Sequence, residues 1–373
     1  TMLPAAPKTL GRLSDVFISA LGSITGHSNR LGFKRASKAI VILVDGLGSE
    51  NLRTAAGHAP FLNAALRDSK SINTVFPSTT AAAITSFGVG AKPAEHGIFG
   101  YSVFDRSTGL VRNLLTGWGV DFQPSDLQKL PSVSALSAAA GIKTFAVGPG
   151  EYANSGFTRL NMGEAEYMPA RSFDERAAAI SEILGKKQNS LTYLYFPELD
   201  SIAHSHGAGS FEWLAKLEDL DAAIRQIVGN LPKDVGVLLT ADHGIVDVPS
   251  ENQVYLDEIE LPGLVAVTGD PRNSFLYFDS ETQASAAKTQ LEAELDGRCI
   301  VATGDELKSA GWFAAEIGNA ELLPDLFVIS VGSYACYHRG FAKPQSLRMI
   351  GQHGGISQAE LLIPLLKFGA FAD

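Results

Sequence analysis

A chain of 373 residues, 45% hydrophobic and 19% charged, has an ordinary globular composition. It is long enough for one large α/β domain or two moderate ones, with no need of a disulfide framework. The formal net charge of −10, with no basic run beyond pairs such as Lys34-Arg35 and Lys186-Lys187, excludes a phosphate-neutralising surface for long nucleic acid. An acidic protein binds an anionic substrate where the site brings its own cations, which points to metals.

The apolar stretch 16–24 is short and broken by serine and glycine, so it does not read as a signal peptide. No segment approaches the ~20 apolar residues of a membrane span. Cys299 and Cys336 are far apart in sequence and form no CxxC or zinc-knuckle spacing, and they read as two reduced thiols. A cytoplasmic location with no membrane partner is the expectation, and a processed precursor is the alternative.

In chain order, the β-branched run 39–44 ends at Asp45-Gly46 and predicts a buried strand. Helical spacing follows over 59–67 and over 80–87, then over 132–140. Further strands are predicted at 144–147, 191–196 and 235–240, separated by helices over 173–184 and 211–228. Continuous apolar strands alternating with helices predict an α/β fold. Its central, mostly parallel sheet is covered by helices on both faces. We expect a single domain over 1–373. The segment of about 254–336, with short β-like runs at 274–278 and 326–330 around a polar helix over 281–295, reads in part as a small inserted α+β subdomain or lid.

Function in such sheets collects at the carboxyl ends of the strands. Asp45 follows the first strand. Asp200 and His204 follow the strand ending at Phe196, and Asp242-His243-Gly244 follows the strand ending at Thr240. His353 sits in the turn Gly351-Gln352-His353-Gly354-Gly355. Three carboxylates and three imidazoles suit zinc, and also manganese or iron. Each has a plainer alternative: a turn for Asp45-Gly46, a helix-face hydrogen bond for Asp200 and His204, a structural role for His353. Asp242-His243 is harder to explain that way, because burying two ionisable groups costs energy unless they are paired or ligate a metal. Ser78, Thr79 and Thr80, after Phe76-Pro77 and before an alanine-rich helix, are all N-cap candidates. A hydroxyl at a helix N-terminus also meets unpaired amides and the positive end of the dipole, a ready site for a phosphoryl group.

Taken together, the order of these motifs from Asp45 to His353 resembles the alkaline phosphatase superfamily, and within it the type I phosphodiesterase/nucleotide pyrophosphatase family. Members place a glycine ten residues after the nucleophile, then a proline and a His-Gly. Gly90, Pro93 and His96-Gly97 fall in that register and select Thr80. The resemblance implies one metal on Asp200, His204 and His353. A second would sit on Asp45, Asp242 and His243 with the Thr80 oxygen. It implies two divalent ions, zinc by family, with manganese also compatible with the ligand set. His96 matches a structural position, and His206 lies off the motif. The implied chemistry is hydrolysis of a phosphodiester or phosphoanhydride in a small phosphorylated substrate, through a phospho-threonine intermediate. Metal coordination would make the Thr80 hydroxyl nucleophilic.

Two positions depart from the nucleotide-cleaving pattern. Tyr101 stands where an asparagine usually contacts the phosphate, and a phenol there either donates that hydrogen bond or merely packs. Ala81 stands where an aromatic residue often stacks on the base. A phosphomonoesterase or phosphonoacetate hydrolase on the same site is the alternative, and a phosphoryl transferase or mutase is a further one. The sulfatase motif is absent. Lys92, His338 and Arg339 are weaker anion-contact candidates.

Overall fold

The computed structural model describes residues 2–9, 11–314 and 316–372. The run Lys38–Val44 (β1) is buried along its whole length, as a strand covered on both faces must be. It lies in the middle of a six-stranded sheet. With β2 Lys143–Gly148, β3 Glu166–Pro169, β4 Ser190–Phe196, β5 Val235–Ala241 and β10 Leu365–Gly369, the order is β10-β5-β1-β4-β2-β3. All neighbours are parallel except β10, which runs antiparallel to β5. Val44 pairs with Phe196 on one side and Ala241 on the other. The three central strands therefore end level, and the residues after them emerge side by side.

The expected helices form at Pro60–Arg67, Thr80–Val89, Val133–Ala139, Phe173–Gly185 and Phe211–Val228. The apolar stretch near the N-terminus is the helix Val16–Thr25, whose Phe17 stacks on Phe87 with ring centroids 4.6 Å apart. No helix among the described residues is long and apolar enough to cross a membrane.

A second sheet of four antiparallel strands follows: β6 Leu264–Asp270, β7 Asn273–Phe278, β8 Cys299–Ala302 and β9 Leu326–Ser330, in the order β6-β7-β9-β8. The period of two along β7 gives it two apolar faces. Leu276 and Phe278 pack in a local core with Ala284 and Leu291 of the helix Glu281–Glu294. Phe275 and Tyr277 join the core of the main sheet. Cys299 and Cys336, distant in sequence, lie side by side here, with unbridged buried sulfurs 3.0 Å apart.

A buried ion pair fastens the tip of the β6–β7 hairpin to the short helix Gln358–Leu361, which precedes β10. Arg272, fully buried, donates through Nε and Nη2 to the two carboxylate oxygens of Glu360, at 3.1 and 2.7 Å. Its Nη1 donates to the carbonyls of Gly332 and Tyr334. Glu360 also accepts from the Gly355 amide at 2.8 Å and from Ser357 Oγ at 2.5 Å. Every charge-bearing atom has a partner, which is what makes such a pair tolerable in the interior. Removing one member strands the other, so Glu360→Ala should lower stability by about 3 kcal/mol or more. Urea denaturation measures this, and a loss below about 1 kcal/mol would mean that the pair does not hold the hairpin down.

Candidate metal centre and nucleophile

The level ends of β1, β4 and β5 bring the sequence-predicted residues together. Asp45 directly follows β1, and Asp242 and His243 directly follow β5. After β4 the chain turns into the helix Glu198–His206, which presents Asp200 and His204 one turn apart on the same face. The turn bearing His353 joins from the C-terminal part of the chain. Asp45, Asp242, His243 and His353 are all buried.

Two groups result. His243 Nε2 lies 3.4 Å from Asp45 Oδ1, 3.3 Å from Asp242 Oδ2 and 3.2 Å from Thr80 Oγ1. His204 Nε2 lies 3.1 Å from Asp200 Oδ2, and His353 Nε2 lies 3.8 Å from Asp200 Oδ1. The groups are contiguous: the rings of His243 and His353 stack with centroids 3.6 Å apart. Asp200, His243 and His353 therefore also lie close enough to share an ion. His243 thus belongs to both groups, while His204 reaches the second through Asp200.

Each carboxylate is half held and half bare. Asp242 Oδ1 accepts from the amides of Gly46 and His243, Asp45 Oδ2 from the Tyr195 hydroxyl, and Asp200 Oδ2 pairs with His204. The other oxygens, Asp45 Oδ1, Asp200 Oδ1 and Asp242 Oδ2, are buried with no hydrogen-bond partner. The imidazoles are oriented in the complementary way. Nδ1 of His204 faces the Gly351 carbonyl at 2.7 Å, Nδ1 of His353 the Ser78 carbonyl at 3.0 Å, and Nδ1 of His243 the Gly244 carbonyl at 3.3 Å. A proton on each Nδ1 leaves the Nε2 lone pair turned toward the carboxylates, the arrangement of metal-ligating histidines. Three bare oxygens and three Nε2 atoms converging on one buried space fit two divalent ions.

The electrostatics agree. Burial, then Asp242 and Asp200, push the Asp45 carboxyl well above the usual range. Burial and Asp200 push Asp242 up to about 7. Burial opposes ionisation of Asp200 as well, but His204 beside it outweighs this and brings its carboxyl below the usual range. Burial and neighbouring His353 hold His243 well below the usual imidazole value. Three acids so close repel one another, and cations remove that penalty.

Thr79, not Thr80, is the N-cap: its Oγ1 accepts from the Ala82 amide at 3.4 Å. Thr80 is the first helical residue, and its hydroxyl is free of capping and directed at His243. Gly90 ends this helix in the left-handed conformation at φ 69°, a backbone state that other residues enter at a cost. Ser78 braces the opposite turn, donating to the Gly355 carbonyl at 2.8 Å and accepting from the Gly354 amide at 3.2 Å.

Other expected residues fall elsewhere. Tyr101 is half-buried, and its carbonyl accepts from the Leu114 amide at 2.8 Å. His206 lies outside the cluster, 3.9 Å from Glu212. Arg339 is taken by Asp257 and Glu258. His338 stacks edge-on to Phe341, and Lys92 caps the short helix Pro93–His96. Sequence reasoning missed Tyr195 and Asp270, which belong to no motif, and it took Ser78 only as an N-cap candidate, whereas its partners lie in the distant His353 turn.

A family model described as type I phosphodiesterase / nucleotide pyrophosphatase matches residues 39–306. No curated protein matches the chain. Among solved structures, murine ectonucleotide pyrophosphatase / phosphodiesterase 5 is similar at TM-score 0.68 and 17% identity, over 89% of this chain and 88% of that one. The human counterpart gives 0.66 and 15%, over 90% of each chain. These likenesses show the alkaline phosphatase-like fold.

His96 is buried, with Nε2 2.8 Å from Ser86 Oγ and Nδ1 accepting from the Ile98 amide at 3.1 Å. Burial keeps it neutral, its pKa lowered to about 3. His96→Ala should therefore cost about 2 kcal/mol in a denaturant melt while metal content stays unchanged. A metal equivalent lost in that variant would place His96 among the ligands.

Proposed function

The chain belongs to the type I phosphodiesterase / nucleotide pyrophosphatase family of hydrolases, and from that premise we propose that it is a two-metal phosphodiester hydrolase with Thr80 as nucleophile. The observation that carries this reading is the convergence of the three bare carboxylate oxygens with three imidazole Nε2 atoms beside the Thr80 hydroxyl. Asp45, Asp242, His243 and Thr80 Oγ1 would hold one ion, and Asp200, His204 and His353 the other. Bound divalent ions supply the Lewis acidity that makes the threonine hydroxyl reactive at neutral pH and offsets charge on the phosphoryl group. The mixed oxygen and nitrogen donor set is compatible with zinc or manganese, and the family resemblance favours zinc.

Thr80 Oγ1 attacks phosphorus as the bond to the leaving oxygen breaks. The hydroxyl proton goes to the departing alcohol, and a phospho-threonine that still carries the second ester remains. Water then cleaves the threonine ester, releases the phosphate monoester and restores the hydroxyl. Thr80 stands in the first turn of its helix, whose dipole favours the anionic group. The stacked His243 and His353 rings fix the relation between the two halves of the site. Tyr195 holds Asp45 through one oxygen and leaves the other for an ion.

A diester is favoured over a monoester by charge. The groups that act most strongly on Asp45, Asp200 and Asp242 are other carboxylates, histidines, a tyrosine and backbone amides, with no lysine or arginine among them. A singly charged phosphodiester needs no such clamp.

Elemental analysis should find close to two transition-metal ions per chain. Chelation should abolish cleavage of an aryl phosphodiester, and zinc should restore it. Thr80→Ala should lose roughly four or more orders of magnitude in kcat while keeping its metal, as removal of a nucleophile does elsewhere. A folded, active protein without metal, or a Thr80→Ala variant with near-normal rates, would defeat this assignment.

A further inference from the structure

Asp270 is a fourth carboxylate at the site, and no metal-ligand set uses it. It ends β6 at the tip of the hairpin that Arg272 fastens to Glu360. Its neighbour Gly269 is tied to Ser102, the Gly269 amide donating to Ser102 Oγ at 3.2 Å. On the opposite side lies Gly354, next to His353. A Cβ there would stand 3.1 Å from Asp270 Cβ and 3.6 Å from Asp270 Cγ. Gly354 also has φ 122°, so glycine alone lets the acid come this close to the His353 turn. The residue is thus held between Ser102 and the His353 turn, yet it keeps partial solvent access, as do Thr80, Tyr101, Asp200 and His204.

The side of the site it occupies is informative. Thr80 belongs to the Asp45–Asp242–His243 half. In-line displacement sends the leaving group away from Thr80, toward the half built by Asp200, His204 and His353. Asp270 adjoins that half through Gly354, the residue after His353. A donor or cation placed against this sheltered carboxylate gains more than it would in open solvent. Among the described residues, no lysine or arginine is among the groups that act most strongly on Asp270. Arg272, two residues away, is fully engaged.

We infer that Asp270 reads the leaving group and selects phosphodiesters whose departing alcohol carries a hydrogen-bond donor, an ammonium above all, over those whose leaving group carries further negative charge. This rests on the hydrolase reading above and narrows it away from nucleoside polyphosphates.

Three methyl aryl phosphates test it, with leaving groups 4-(aminomethyl)phenol, 4-methylphenol and 4-carboxyphenol, assayed on the metal-loaded enzyme. The wild type should prefer the first and disfavour the last. Asp270→Asn and Asp270→Ser should each lower the ratio of kcat/KM between those two by about tenfold or more, the effect of one charge-assisted contact. Metal content and thermal midpoint are followed in parallel. A merely structural role would depress all three substrates alike and leave the ratio where it was. An unchanged ratio with continued turnover overturns the role of Asp270 alone. Failure of the wild type to cleave any of the three overturns the hydrolase reading and Asp270's role with it.

Discussion

Three carboxylates share one buried space, where burial and their neighbours push the carboxyls of Asp45 and Asp242 above the usual range. Asp45, Asp200 and Asp242 each spend one oxygen on the protein and leave the other bare. A buried unpaired carboxylate oxygen is costly, and three together are costlier through mutual repulsion. Much of the surrounding structure serves to hold that arrangement. The parallel register ends β1, β4 and β5 at one level, and backbone carbonyls fix each imidazole with Nε2 turned inward.

The start of the Thr80 helix and the C-terminal turn are coupled through one residue. Ser78, two positions before Thr80, contacts the backbone of Gly354 and Gly355 through its hydroxyl and the His353 ring through its carbonyl. The same turn is held from its other side by Glu360, which also anchors Arg272 of the inserted hairpin. The helix start, the His353 turn and the second sheet therefore position one another. A segment that composition alone would cast as a lid is, at this point, fastened to the site by a fully buried bidentate ion pair and contributes Asp270 to its wall.

Much of this was legible in the sequence because parallel sheets write their logic locally. A continuous apolar run followed at once by Asp45 or by Asp242-His243 marks a strand end and the residue that emerges there. The spacing of Asp200 and His204 is one helical turn. The choice among Ser78, Thr79 and Thr80 was not local. It rested on Gly90, which terminates a ten-residue helix, and the three hydroxyls prove to have three different partners. What stayed hidden depends on pairings across long loops. Glu360 lies 88 positions from Arg272, Asp270 meets Gly354 only after folding, and the two cysteines are 37 positions apart yet adjacent.

The claim most exposed to disproof is the covalent step at Thr80. Rapid acid quench of the metal-loaded enzyme during turnover of a phosphodiester, followed by peptide mass mapping, tests it directly. A single phosphoryl group still carrying the retained ester of the substrate, on the peptide containing Thr80 and absent when substrate is withheld, is the predicted result. Steady turnover with no phosphorylated residue at any quench time would contradict it and point to direct attack by water.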